Sequence, residues 1–323
     1  MRTLKVLFAV AALVTLSGQT VPQEAWPLEI MPPSPKGAPA YQPRPQQAWD
    51  WGPKGAEGAF CRQQLWLVPT PEPSKLAHAF LFRPPGDGPF RLAVIAHAST
   101  ENPLRRAQMA EPEYRALAAF LVTRGFAVLV PERLGHGATG GPYLEDQGAC
   151  ESADYDNSGR QTAMQIAFAE EAMHRQTFIR KDGIVVIGHS AGGWGALYRA
   201  GLRPEGVSAI IVFAAGRGGH ADDVPAQVCA PERLMATAEA FGTRARIPVT
   251  WLVADNDSYF PPKFSRDLAD AFRRGGGKVT FTVLPATGSE GHAMAETEDG
   301  VNAASRELDR ALKLPAQATA KKP

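Results

Sequence analysis

The stretch Ile184-Val-Val-Ile-Gly-His-Ser-Ala-Gly-Gly-Trp194 indicates the architecture of the chain. It begins with four β-branched apolar residues, which is typical of a strand buried on both faces of a sheet. A Gly188-x-Ser190-x-Gly192 turn follows, and residues 193–200 have helical spacing. In such a strand–turn–helix unit the serine occupies a strained turn, and the helix N-terminus favours developing negative charge beside it. The pattern therefore predicts that Ser190 is a candidate nucleophile on a sharp turn.

Apolar strands and helices alternate on both sides of this turn. The predicted strands are at residues 64–68, 76–82, 92–96, 126–130, 184–187, 207–213, 248–253 and 279–284. The predicted helices are at residues 112–123, 158–178, 193–200, 231–241, 262–273 and 301–312. Apolar strands separated by helices indicate a mostly parallel sheet with helices on both faces, in a doubly wound α/β topology. We expect one domain over residues 61–313.

The two ends of the chain differ from this middle part. Residues 1–21 have the pattern of a signal peptide, with two early positive charges and an apolar run from Val6 to Leu16. As a helix that run rises only about 16 Å, which is half a bilayer core, so we expect export (periplasmic or secreted) and no stable membrane anchor. Residues 22–60 form a Pro-rich arm, and residues 314–323 are expected to be a disordered tail.

Composition excludes several classes of protein. The 323 residues contain 34 Lys+Arg against 33 Asp+Glu, and no basic run is long enough for a nucleic-acid partner. Three cysteines without a CxxC pair are too few for a disulfide scaffold or structural zinc. No cluster of His, Asp and Glu has metal-ligand spacing on one helix face, so we expect no metal. No cofactor is expected either. The oligomeric state is left open.

A general base and an acid are expected at the same edge of the sheet as Ser190. Ligands and catalytic groups in such sheets collect at the carboxyl ends of the strands. Asp255 and Asp257 follow the strand at 248–253, and His292 lies on the loop after the strand at 279–284. A serine hydroxyl needs an imidazole to take its proton and a carboxylate to orient that imidazole. These positions supply both, with the choice between the two aspartates open.

At these motifs the chain resembles the α/β-hydrolase family, and within it the serine-nucleophile branch of dienelactone-hydrolase-like secreted esterases. The resemblance covers residues 61–313 and rests on Gly188-His-Ser-Ala-Gly-Gly193, Pro131-Glu-Arg-Leu-Gly-His-Gly137, Ala254-Asp-Asn-Asp-Ser-Tyr-Phe-Pro261 and Gly291-His292. It implies an eight-stranded sheet and a triad of Ser190, Asp257 and His292. It also implies an oxyanion hole made by the N–H groups of Ala191 and Ser99, although Ala98 stands where relatives usually have glycine.

The expected activity is that of an exported serine hydrolase that cleaves a small-molecule or polymeric carboxylic ester through an acyl-enzyme. Candidate substrate-binding residues are Arg217, Tyr259, Trp194 and Tyr143. For Arg217 the alternative is a loop-fixing hydrogen bond to carbonyls, and for the aromatic residues it is a place in the core. Cys150 and Cys229 lie in loops near the expected site and are a candidate disulfide, since export allows oxidation.

Three other functions remain open. A peptidase or amidase of the prolyl-oligopeptidase type usually has a large extra domain, which the Pro-rich arm is too short to form. An acyltransferase could use the same triad if water is excluded. A non-catalytic binding protein on the same fold would be expected to have a broken triad. Of the other histidines, His97 and His189 are expected to pack beneath the site, and His136 and His220 to lie near its rim.

Overall fold

The computed structural model describes residues 51–202 and 206–313. The predicted signal peptide, residues 22–50 of the predicted arm and the predicted tail lie outside the described residues. Within them, one sheet has the strand order β1-β2-β3-β5-β4-β6-β7-β8-β9. The strands are β1 Gly52–Lys54, β2 Gln64–Pro69, β3 Leu76–Phe82, β4 Arg91–Ala96, β5 Phe126–Pro131, β6 Ile184–His189, β7 Val207–Phe213, β8 Val249–Ala254 and β9 Val279–Leu284.

The predicted doubly wound α/β class is confirmed. The strands from β4 to β9 pair in parallel, and the first three strands add an antiparallel edge. The described sheet has nine strands and not the expected eight. The additional strand, β1, lies inside the segment predicted to be a Pro-rich arm. It pairs with residues 65–67 through backbone hydrogen bonds, which need no apolar pattern in the sequence.

Helices cover both faces of the sheet. They are α1 Pro103–Ala107, α2 Arg115–Val122, α3 Tyr155–His174, α4 Ala191–Arg199, α5 Pro231–Arg244, α6 Pro262–Arg274 and α7 Glu298–Ala311. Side chains of α3, α4, α5 and α6 form one apolar cluster with the sheet, and side chains of α2 and α7 form the other. Within β4, Val94 belongs to the first cluster and Ile95 to the second, as alternation along a strand requires. No described helix is long and apolar enough to cross a bilayer.

The parallel strands bring the candidate residues to one edge. Ser99 follows β4, Ser190 follows β6, Asp257 follows β8 and His292 follows β9. Because these strands run in the same direction, their carboxyl ends share one edge of the sheet. The short helix α1, which the sequence did not predict, lies beside this edge. Asn102 caps it by accepting hydrogen bonds from the N–H groups of Leu104 and Arg105, both at 3.0 Å.

Candidate active site

Ser190 occupies the turn between β6 and α4 in a strained conformation. Its φ is 54° and its ψ is −118°, a region that side chains rarely adopt. The neighbouring glycines are required for space. A Cβ on Gly188 would lie 2.5 Å from the carbonyl oxygen of Gly192, and a Cβ on Gly192 would lie 2.1 Å from that of Ala96. The strand and the helix can approach each other this closely only without side chains at these positions.

The side chains of Ser190, His292 and Asp257 form a continuous hydrogen-bonded chain. Ser190 Oγ lies 2.9 Å from His292 Nε2, and His292 Nδ1 lies 3.1 Å from Asp257 Oδ2. All three are buried, and the carboxylate also accepts the N–H groups of Tyr259 at 2.8 Å and Phe260 at 2.9 Å through Oδ1. The arrangement can pass a proton from the hydroxyl to the imidazole while the carboxylate keeps the ring oriented.

The structure also distinguishes between the two candidate acids, Asp255 and Asp257. Asp255 is exposed, and its backbone N–H donates to the carbonyl oxygen of Leu284. Asp257 lies two residues further on and is 3% exposed, with its carboxylate against His292. Of the two aspartates that the sequence left open, the structure brings Asp257 and not Asp255 to His292.

The pKa of His292 lies below its ordinary value of 6.5. Burial lowers it, while the hydrogen bond and the negative charge of Asp257 act in the opposite direction. A lowered pKa means that the ring is uncharged at neutral pH. It is then in the form that can accept a proton from Ser190.

A cleft of about 280 Å³ opens beside Ser190. The predicted oxyanion residues Ala191 and Ser99 both line it. As the first residue of α4, Ala191 has an N–H without a partner within the helix. Ala98 does not have the positive φ that would strain an alanine, and its N–H donates to the hydroxyl of Tyr114 at 3.0 Å. The replacement of the expected glycine therefore costs no backbone strain here.

A buried charge network supports the wall of this cleft. Arg133 and Arg217, each 2% exposed, both donate to the carboxylate of Glu145, which is fully buried. Burial alone would raise the pKa of Glu145, but the two guanidinium groups lower it to about 2. Nothing in the sequence distinguishes Glu145, because a single glutamate in a Gly-rich loop carries no periodic signal.

Arg217 lines the cleft, but its side chain is held by groups of the protein. Its Nη1 donates to Glu101 at 3.0 Å and to the hydroxyl of Tyr143 at 2.7 Å, and its Nη2 donates to Glu145. These contacts favour the alternative in which Arg217 fixes a loop over the binding of a substrate carboxylate. Its partners are two carboxylates and a hydroxyl, and not the expected carbonyl groups. Tyr143 supports Arg217 and is not part of the cleft lining; the guanidinium of Arg106 covers its ring at 3.4 Å.

Trp194 does not line the cleft, contrary to the expectation of a pocket role. It lies on α4, every residue of which is buried, and its ring packs against Phe241 with its Nε1 donating to the carbonyl oxygen of Tyr155 at 2.8 Å. It is a core residue because it points toward α3 and α5. Tyr259, in contrast, lines the cleft and stacks on the ring of His292 at 4.3 Å.

Three further histidines, His97, His136 and His189, make hydrogen bonds beneath the site. His189 Nε2 donates to the carbonyl oxygen of His292 at 2.7 Å, and its Nδ1 lies 2.8 Å from the hydroxyl of Tyr114. His97 Nε2 accepts the N–H of Arg133 at 3.0 Å, and burial keeps the pKa of this imidazole well below 6.5. His136 accepts the hydroxyl of Ser99 at 2.7 Å. His136 is thus buried beneath Ser99, whereas His220 lines the cleft.

A disulfide joins Cys150 and Cys229, whose Cα atoms lie 5.3 Å apart, while Cys61 is free. Cys229 also donates its backbone N–H to the carbonyl oxygen of Gly218 at 2.8 Å, next to Arg217. The bond therefore fixes the loop after β7, which forms one wall of the cleft. Among the described residues, no group of His, Cys, Asp and Glu is arranged to hold a metal ion.

Comparison with known proteins places this geometry in a family. Residues 112–282 match the model of the alpha/beta hydrolase family. No curated protein matches the sequence. Solved structures with a similar fold include an acetyl xylan esterase from Thermoanaerobacterium, with TM-score 0.55, 16% identity, and coverage of 83% of this chain and 88% of the esterase.

Two further structures share the fold at similarly low identity. A protein assigned as a dienelactone hydrolase from Klebsiella pneumoniae has TM-score 0.52 and 13% identity, over 78% of this chain and 98% of the other. A puromycin hydrolase has TM-score 0.57 and 19% identity, over 79% of this chain and 40% of the other. The match of the family model to more than half of the sequence, on this fold, shows that the chain belongs to the alpha/beta hydrolase family.

Proposed function

We propose that the protein is an exported serine hydrolase that cleaves carboxylic esters. The observation that carries the proposal is the chain of contacts from Ser190 Oγ through His292 to Asp257, at 2.9 and 3.1 Å, beside a cleft that can admit a substrate. A serine, an imidazole and a carboxylate in this order are the components of nucleophilic acyl transfer.

In the proposed reaction, Ser190 Oγ attacks the acyl carbon while His292 Nε2 takes the hydroxyl proton. Asp257 stabilises the imidazolium that forms, and the N–H groups of Ala191 and Ser99 bind the oxyanion. His292 then returns the proton to the leaving alcohol, which gives an acyl-enzyme. Water attacks this intermediate with His292 again as the base, the acid is released, and Ser190 regains its proton.

An ester substrate is favoured over a peptide by how fully the solved structures of each kind are covered. The acetyl xylan esterase is covered over 88% of its length, whereas the puromycin hydrolase is covered over only 40% of its own. The remaining part of the puromycin hydrolase therefore has no counterpart in this alignment. The fuller coverage of the esterase supports an ester substrate.

Export is supported by the signal-like residues 1–21 and by the disulfide between Cys150 and Cys229, a bond that persists in oxidising compartments. Expression of the full chain with cell fractionation tests this part of the proposal. The exported form is expected to begin near residue 22 by mass. An uncleaved chain in the cytosol would contradict it.

The central experiment is the hydrolysis of p-nitrophenyl acetate in buffer without an acceptor alcohol, which separates a hydrolase from an acyltransferase. Ser190→Ala is expected to lower kcat by about 10⁴-fold or more with unchanged unfolding temperature. Ser208→Ala, an exposed serine at the start of β7, is the control and should retain activity. Equal turnover by Ser190→Ala and the unmodified protein would refute the proposal, as would a fluorophosphonate label on another residue.

A further inference from the structure

The ring of His292 is covered by Tyr259, and a third ring packs on the opposite face of Tyr259. The ring of Tyr259 stacks on the imidazole of His292 with centroids 4.3 Å apart and planes at 21°. The ring of His220 stacks on Tyr259 from the other side, at 3.5 Å and 6°. The three rings form one stack, with the triad histidine at its end.

His220 is fixed by the loop that carries the acid. The hydroxyl of Ser258 donates to Glu290, so its oxygen accepts the hydrogen bond from His220 Nε2, at 2.8 Å. The other carboxylate oxygen of Glu290 accepts the N–H of Ser258 at 3.1 Å and the N–H of His292 at 2.9 Å. The loop of Asp257, the loop of His292 and the ring of His220 are thereby tied together.

Tyr259 also contacts the acid directly. Its backbone N–H donates to Asp257 Oδ1 at 2.8 Å, so the residue contacts Asp257 through its backbone and His292 through its ring. Its side chain is only partly buried and lines the cleft. Replacing the ring therefore leaves the backbone contact to Asp257 in place.

We propose that Tyr259 is a positioning residue for the hydrolytic reaction, whose ring holds the imidazole of His292 toward Ser190 and stabilises its positively charged form. The proposal rests on the function proposed above. The π face of an aromatic ring attracts a cation stacked on it, and His292 becomes a cation only when it has taken the proton of Ser190. The ring of Tyr259 consequently favours the transition state over the resting state.

Other charges also act on the imidazole and must be held constant in a test. Carboxylates and a second imidazole face His292 from the neighbouring segments: Asp257, Glu290, Glu296 and His189. Exchanging Tyr259 for an uncharged side chain alters none of them. A change in the titration of His292 in such a variant then reports the loss of the ring.

The test compares Tyr259→Leu, which removes the π face and keeps apolar bulk, with Tyr259→Phe, which keeps the ring and removes only the hydroxyl. Steady-state hydrolysis of p-nitrophenyl acetate is measured from pH 4.5 to 9, with active-site titration to count competent molecules. Tyr259→Leu is expected to lower kcat about tenfold with little change in KM, and to move the acidic limb of kcat/KM down by about half a pH unit or more. Tyr259→Phe should stay within about threefold of the unmodified protein, with its acidic limb in place.

Equal effects of the two substitutions would overturn the inference, as would a loss of kcat in Tyr259→Leu without movement of the acidic limb. If Tyr259→Leu does not fold, Tyr259→Met supplies the same comparison, because its flexible side chain can fill the space. An unmodified protein without esterase activity would refute the proposed function and this inference with it. Activity that depends on Ser190 but does not differ between the two variants would refute the inference alone.

Discussion

Ser190 keeps a strained backbone conformation because the close packing of strand and helix around it, which the neighbouring glycines permit, holds it there. Residues at sparsely populated φ and ψ angles persist only where the surrounding structure holds them. The strain raises the hydroxyl above the edge of the sheet, next to the N-terminus of α4, where developing negative charge is stabilised. The glycines around Ser190 are thus as necessary to this turn as Ser190 itself.

A methyl group at Gly192 is expected to prevent the native turn. Its Cβ would lie 2.1 Å from the carbonyl oxygen of Ala96 and 2.4 Å from the carbonyl carbon, and backbone atoms cannot move aside as a flexible side chain can. Gly192→Ala should lose about 4 kcal/mol or more of the free energy of unfolding in urea. Gly58→Ala, where the nearest atom is 3.4 Å away, is the control and should change stability by less than about 1 kcal/mol. Similar unfolding midpoints for the two variants would contradict this explanation.

The titration of His292 predicts the acidic limit of activity. Burial lowers the pKa of this imidazole below 6.5, and only the uncharged ring can take the proton of Ser190. As the pH rises through that pKa, the ring loses its proton and kcat/KM rises to a plateau. The midpoint of the acidic limb in a pH–rate profile should therefore lie below 6.5. A midpoint above 6.5 would show that the imidazole is not desolvated as the structure indicates.

At the scale of elements, a buried carboxylate joins two loops that follow different strands. Glu145 lies in the loop after β5, and Arg217 in the loop after β7. Arg133, two residues after the end of β5, binds the same carboxylate. Because two guanidinium groups share one buried anion, removing the anion leaves positive charge in a medium that solvates it poorly.

Glu145→Gln is expected to destabilise the protein by about 3–5 kcal/mol in urea unfolding, although it changes few atoms. Glu101 binds Arg217 from the cleft side, and its side chain is 38% exposed, so water can replace it. Glu101→Gln should therefore cost about 1 kcal/mol or less. A smaller effect at Glu145 than at Glu101 would show that the buried pair is not needed to hold the loops.

At the scale of the whole molecule, the sheet brings distant parts of the chain to one edge. The two apolar clusters on its faces anchor every central strand, so the loops that carry the site start from fixed positions. The disulfide adds a covalent restraint between residues 79 positions apart, from the segment before α3 to the segment before α5. The loop that it closes contains α3, β6, α4 and β7.

The double variant Cys150→Ser/Cys229→Ser should have a free energy of unfolding that is about 2–4 kcal/mol lower, because the cross-link restricts the unfolded chain. Cys61→Ser removes the free thiol and is the control, with a change of less than about 1 kcal/mol expected. KM for p-nitrophenyl acetate should rise in the double variant, since the disulfide fixes the wall of the cleft that carries Arg217. Unchanged thermal unfolding on reduction of the unmodified protein would contradict a stabilising role.

Local sequence patterns were sufficient to predict the fold and the edge of the sheet at which the candidate site lies. The strands β3, β7 and β9 have the predicted bounds, because each is an apolar or alternating run between clear breaks. The starts of α3 and α7 were predicted three residues too late, since Asp154 and Thr297 cap them further upstream. Boundaries depend on single side-chain contacts that periodicity does not show.

By itself the sequence determined the order of strands and helices, the glycine turn around Ser190, and the fact that Asp257 and His292 follow strands. These features depend on residues close together in the chain. The folded structure decided which aspartate meets His292, that Trp194 belongs to the core, that Glu145 neutralises Arg217, and that Tyr259 covers the imidazole. Each of those contacts joins segments far apart in sequence, and only the packing of the sheet and its loops sets which side chains meet.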